Sequence, residues 1–165
     1  MLKKYLPICW FASFPENLKT SNAFIWKNII FYLFAGLFIQ VNITDPVVAL
    51  LQVFLELLIT LIFVALLLVI KGSLTQFKIV FTTFILCENL SYLAALPIVI
   101  WFIAVRASDY FMYPIYAGIL LIVWFCAIIS YLLQYYFQYR LTLSILISIL
   151  YFLSTYLVSY ALLVI

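Results

Sequence analysis

Apolar residues fill this sequence in five long blocks, and the polar breaks between the blocks are short. The blocks run from about Asn22 to Gln40, Pro46 to Ile70, Phe77 to Val105, Tyr110 to Leu133 and Leu141 to Ile165. About 20 consecutive apolar residues in helical conformation cross the hydrocarbon core of a bilayer. The pattern therefore predicts an all-α integral membrane bundle of about five transmembrane helices.

The breaks carry helix-ending chemistry. Asp45-Pro46 supplies an N-cap acid followed by proline at the first helical position. Lys71-Gly72-Ser73 supplies a glycine C-cap. Arg106-Ala-Ser-Asp109 closes the third block, and Gln134-Tyr-Tyr-Phe-Gln-Tyr-Arg140 forms an aromatic and basic belt of the kind found at membrane interfaces. Trp26 and Lys27 anchor the start of the first block. The third block is longer than a bilayer needs, and Pro97 lies inside it. Proline lacks the donor for the Leu93 carbonyl and its ring clashes there, so a kink is expected in the preceding turn, near Ala94.

Residues 1–21 read differently. Lys3, Lys4 and Lys19 mix with Trp10, Phe11 and Phe14, a composition suited to the headgroup level. Ser13 and Glu16 have capping-box spacing, so a short helix is expected there. Pro7 interrupts the short apolar run, and no small-x-small cleavage site precedes Glu16, so the segment is read as retained. The expected division is an interfacial segment, 1–21, and a five-span domain, 22–165.

Composition narrows the function. The chain has 165 residues, 70% hydrophobic and 8% charged, where a soluble domain carries roughly a quarter charged residues. Such a chain has no room for a soluble catalytic domain beside its helices. With five spans, Lys3, Lys4, Lys19, Lys27, Lys71, Lys78 and Arg140 fall on one side and Arg106 on the other. The positive-inside rule then predicts a cytoplasmic N-terminus. No long basic run points to nucleic acid. There is no histidine, and Cys9, Cys87 and Cys126 are too dispersed for a metal or disulfide framework. No metal and no cofactor are expected. The many phenylalanines, tyrosines and isoleucines suit an AT-rich genome, and so a bacterial cytoplasmic membrane. Asn42-Ile43-Thr44 matches a glycosylation triplet, which has meaning only in a secretory membrane.

Two acids interrupt the apolar blocks: Glu56 in the second and Glu88 in the third. Each lies about ten residues, or roughly 15 Å, from its helix start. The two helices run in opposite directions, so both carboxyls are expected near the midplane, where they could meet. A midplane acid costs roughly 2.5–3.5 kcal/mol on the insertion scale and normally faces protein or water. No intramembrane lysine or arginine is positioned to pair with either, so both are expected as neutral acids. Gln52, Glu56 and Thr60 share one stripe of the second helix. Asn89, Ser91 and Tyr92 surround Glu88. Thr83, Cys87, Ser91 and Ala95 form a small-residue ridge suited to close helix approach. Ser144, Ser148, Tyr151, Thr155 and Ser159 follow helical spacing in the fifth span. The candidate midplane polar site is Glu56, Glu88, Gln52, Asn89 and Ser91. It admits two readings: a proton- or cation-binding site, or neutral acids hydrogen-bonded to fix helix packing.

Enzymatic chemistry finds no support. There is no HExxH, no GxSxG, no glycine-rich phosphate loop and no histidine to activate a serine. A pair of aspartates could serve intramembrane proteolysis, but Asp45 and Asp109 both fall in loops.

The segment Lys71-Gly72-Ser73-Leu-Thr-Gln-Phe77-Lys78, leading to Leu96-Pro97, resembles the middle of Yip-domain membrane proteins. There a glycine-containing basic loop with an aromatic precedes a span that reaches a proline. The five-span layout and inner N-terminus resemble that family over residues 10–165. The resemblance implies a non-enzymatic role as a membrane organiser. The expected function is therefore an accessory or organiser protein acting through intramembrane helix contacts. Its expected partners are the lipid bilayer and either another membrane protein or a second copy. Two alternatives stand beside it: a small transporter or channel component using Glu56 and Glu88, and an immunity-type protein against a pore-forming toxin.

Overall fold

The computed structural model describes residues 21–158 and Ala161. Its helices are α1 (Asn22–Val41), α2 (Pro46–Lys71), α3 (Phe77–Val105), α4 (Met112–Phe137) and α5 (Leu141–Phe152). A single 3₁₀ turn, Leu74–Gln76, joins α2 to α3, and α5 continues as a π-helix over Leu153–Val158. Four stretches are long and apolar enough to cross a membrane: Asn22–Val41, Pro46–Lys71, Leu74–Val105 and Met112–Phe137. The fifth apolar helix spans Leu141–Leu157 among the described residues. The protein is an all-α, multi-pass integral membrane bundle. The interfacial segment, the capping box at Ser13, and Cys9 lie outside the described residues.

Local chemistry sets the boundaries. The Ser21 side chain accepts the Phe24 N–H at 3.2 Å and starts α1. Asp45 accepts the Val47 N–H at 2.9 Å, with Pro46 at the first position of α2. Gly72 ends α2 at φ +70°, and the Ser73 N–H reaches back to the Leu68 carbonyl at 3.0 Å. Only a residue tolerant of the left-handed region closes a helix this way without strain. Glycine does so at α2, and Gln138, at φ 54°, does so at α4.

The end of α4 differs from the sequence expectation. α4 extends to Phe137, so Gln134–Phe137 forms its last turn rather than a separate belt. Long polar and aromatic side chains at a helix end can still reach the interface. α3 has the bounds that the sequence predicts, running through Pro97 to Val105.

α3 is the central element and packs against α1, α2 and α4, while α5 packs on α4 and its π-helix on α2. Every residue of α3 from Val80 to Asn89 is buried, and none after Tyr92 is. A helix enclosed on all sides must be apolar or internally satisfied all round. The half of α3 near the Lys71–Lys78 turn is thus enclosed, and the half near Arg106 is open.

Close approach of α1 to its neighbours depends on Gly36. A Cβ there would lie 3.1 Å from Val53 and 3.3 Å from Tyr92. The small-residue ridge of α3 runs toward α4, where the Thr83 and Tyr136 hydroxyls meet at 3.1 Å. At the enclosed end, the Lys71 ammonium donates to the Tyr136 carbonyl and lies 5.5 Å from the centre of the Phe137 ring.

Candidate functional site

Glu56 and Glu88 are both fully buried. α2 and α3 run antiparallel, and each carries a polar pair four residues apart: Glu56 and Thr60 on α2, Glu88 and Tyr92 on α3. The register joins these pairs crosswise. Tyr92 Oη donates to Glu56 Oε2 at 2.8 Å, and Thr60 Oγ1 donates to Glu88 Oε1 at 3.0 Å. The result is a two-rung ladder with one carboxyl on each rung. The rungs are one helical turn apart, and no hydrogen bond joins the two acids directly.

Other helices complete the rungs. On the first, Glu56 Oε1 accepts from Gln52 Nε2 at 3.1 Å and from Gln40 Nε2 of α1 at 3.3 Å. The Tyr32 hydroxyl of α1 lies 3.3 Å from that of Tyr92, and their rings tilt against each other at 5.2 Å. On the second, the Tyr151 hydroxyl of α5 bonds Glu88 Oε1 and meets Thr60 Oγ1 at 2.9 Å. The Tyr151 ring sits among Phe63, Phe84 and Phe125. The ladder therefore ties α1, α2, α3 and α5 together. All its donors are neutral side chains, and among the described residues no lysine or arginine bonds either acid. One atom stands out. Glu88 Oε2 is buried and makes no hydrogen bond among the described residues.

The five site residues read from the sequence divide here. Gln52, Glu56 and Glu88 belong to the ladder. Asn89 does not: its amide donates to the Asn28 backbone carbonyl of α1 at 3.1 Å. One residue further along a helix is a turn of about 100°, which points Asn89 away from α2. Ser91 does not either, because its hydroxyl bonds back to the Cys87 carbonyl at 3.1 Å, a common resolution for serine within a helix. Of the ladder's remaining members, Thr60 is read from sequence on the stripe of Glu56 and Tyr92 beside Glu88, whereas Gln40, Tyr32 and Tyr151 are not assigned to the acids. The repeat of polar residues through Tyr151 was a usable signal. Nothing local signals that Tyr92 would serve Glu56, because that depends on the register between helices.

Beside the first rung lies a cleft of about 260 Å³. It is bounded by α1, α3, α4 and the α5 π-helix, and it occupies the open half of the bundle. Its walls are mostly apolar, including Ile39, Leu121, Ile122 and Phe125. Gln40 and Tyr92, two of the side chains that bond Glu56, also line it. Among the described residues no group of three histidine, cysteine or acidic side chains gathers as a metal site, and no disulfide joins Cys87 and Cys126.

No family model matches the chain, and neither a curated protein nor a solved structure matches it.

Proposed function

We propose that this protein is a non-enzymatic accessory or organiser of a bacterial cytoplasmic membrane, with its N-terminus cytoplasmic, acting through contacts between its helices and those of other membrane proteins. The observation that carries this reading is the inward direction of its chemistry. Both acids are engaged in internal bonds that lock four helices together, leaving apolar faces outward. On α1 those faces include a ridge of Trp26, Ile30, Phe34 and Phe38, four residues apart and all exposed. A rigid bundle with a regular aromatic ridge suits helix-to-helix docking, where packing rather than hydrophobic burial drives association. The Yip-like segment at Lys71–Lys78 agrees with such a role.

The test is photocrosslinking in native membranes. A crosslinking amino acid at Phe34 is expected to yield one discrete protein adduct, and the same group at Leu150 only lipid adducts. Lipid adducts alone at both positions would reject the proposal.

A second reading, a transporter or channel component, is favoured by one observation: Glu88 Oε2 is buried without a partner, a place where a proton or another donor would be stabilised. Under that reading Glu88→Gln abolishes function in a protein that still inserts.

A further inference from the structure

We propose that the cleft beside Glu56 binds a small amphipathic organic cation, an apolar body carrying one ammonium group. Volume, wall chemistry and the nearest charge all favour this occupant. The cleft, at about 260 Å³, exceeds a cavity of about 150 Å³ that holds benzene, so it accepts an aromatic ring with a short tail. Its apolar walls match an apolar body. Phe125, Phe152, Tyr92 and Tyr156 also line it, and aromatic faces attract ammonium groups.

The charge complement lies one layer down. Among the described residues no lysine or arginine lines the cleft, and the Glu56 carboxyl lies directly behind Gln40 and Tyr92. Gln40 is the movable cover. It is only half-buried and holds Glu56 Oε1 at 3.3 Å, the longest contact that this carboxyl makes. Swinging its amide aside leaves Oε1 with Gln52 alone and opens one acceptor position on it for an ammonium N–H at the base of the cleft. Gln52 and Tyr92 still hold the carboxyl in place. The pair forms with no net loss of a proton when the ligand enters as the free amine: the Glu56 carboxyl gives its proton to the amine nitrogen, leaving a carboxylate beside the ammonium.

The cleft meets α3 at Ser91, Tyr92 and Ala95, where the enclosed half of that helix gives way to its open half.

The experiment measures binding of 2-phenylethylammonium, and of its neutral counterpart 2-phenylethanol, to the full chain in lipid nanodiscs by calorimetry. The wild type is expected to bind the ammonium at least about tenfold more tightly than the alcohol, as expected of a charge-assisted hydrogen bond. Glu56→Gln should remove that preference and leave alcohol binding unchanged. Ile122→Trp, which fills the cleft from α4, should weaken both. Equal binding of the two probes, no ammonium binding, or an undiminished preference in Glu56→Gln overturns the proposal. If Glu56→Gln does not fold, Ile122→Trp decides alone, and unchanged ammonium binding in it overturns the proposal.

Discussion

Tyr151 joins the polar and the aromatic parts of the interior. Its hydroxyl serves Glu88 and Thr60 at once, and its ring fills the space among three phenylalanines. Tyr151→Phe keeps the ring and removes the hydroxyl, so Glu88 loses one donor and keeps Thr60. We expect a loss of about 1–3 kcal/mol, the range for stripping a partner from a buried polar group, read from unfolding in mixed micelles. An unchanged midpoint would show that the second rung adds nothing to stability. Gly36→Ala should act through sterics instead. The added methyl presses on Val53 and Tyr92, and overpacking of this kind costs about 1–3 kcal/mol. At this scale the sequence was partly legible. Glu56 and Glu88 stand out because an acid inside an apolar block needs a reason. Asn89 looked equally eligible, but helical rotation turns it to α1. A side chain's partner depends on the facing helix, which local sequence does not encode.

Among the elements, α2 begins and ends where its capping chemistry places it, because Asp45, Pro46 and Gly72 act through bonds to residues a few positions away. The end of α4 was harder to read, since Gln138 adopts a left-handed conformation that usually signals glycine. Lys71 stabilises that end by donating to the Tyr136 carbonyl. Cations near a helix C-terminus contribute about 0.3–1 kcal/mol. Lys71→Met should therefore fray the last turn of α4, seen as faster amide hydrogen exchange over residues 134–137, with exchange in α1 unchanged. Pro97 calls for a different measurement. Pro97→Ala restores a donor for the Leu93 carbonyl. Spin labels at Lys78 and Ala104 should then move apart as α3 straightens. An unaltered distance would show that the proline introduces no bend.

At the scale of the whole molecule, the alternation of apolar blocks and short turns made the helical bundle legible. The block lengths match what a bilayer demands, and few other solvents tolerate so little charge. The arrangement around α3 is not legible, because the blocks are apolar over most of their surface and their polar stripes do not by themselves select neighbours. Polar residues selected them instead, through the ladder. The proposed topology places the Lys71–Lys78 turn in the cytoplasm and the Arg106 turn on the opposite side. Single cysteines at Ser73 and Ser108, in a background lacking the native cysteines, should react with a membrane-impermeant maleimide from opposite faces of sealed vesicles. Reaction of both from one face would end the topology.

The central claim is that the two buried acids serve as hydrogen-bonding groups that hold four helices together. Glutamine preserves their shape and most of their bonding, whereas leucine preserves only their bulk. The most direct measurement compares unfolding midpoints, in mild detergent, of the wild type, the double Glu56→Gln, Glu88→Gln variant and the double Glu56→Leu, Glu88→Leu variant. The double glutamine variant is expected to stay within about 1 kcal/mol of the wild type, and the double leucine variant to fall further, because it strands the donors of Gln40, Gln52, Tyr92, Thr60 and Tyr151. A double leucine variant as stable as the wild type, or a double glutamine variant that unfolds, would contradict the account.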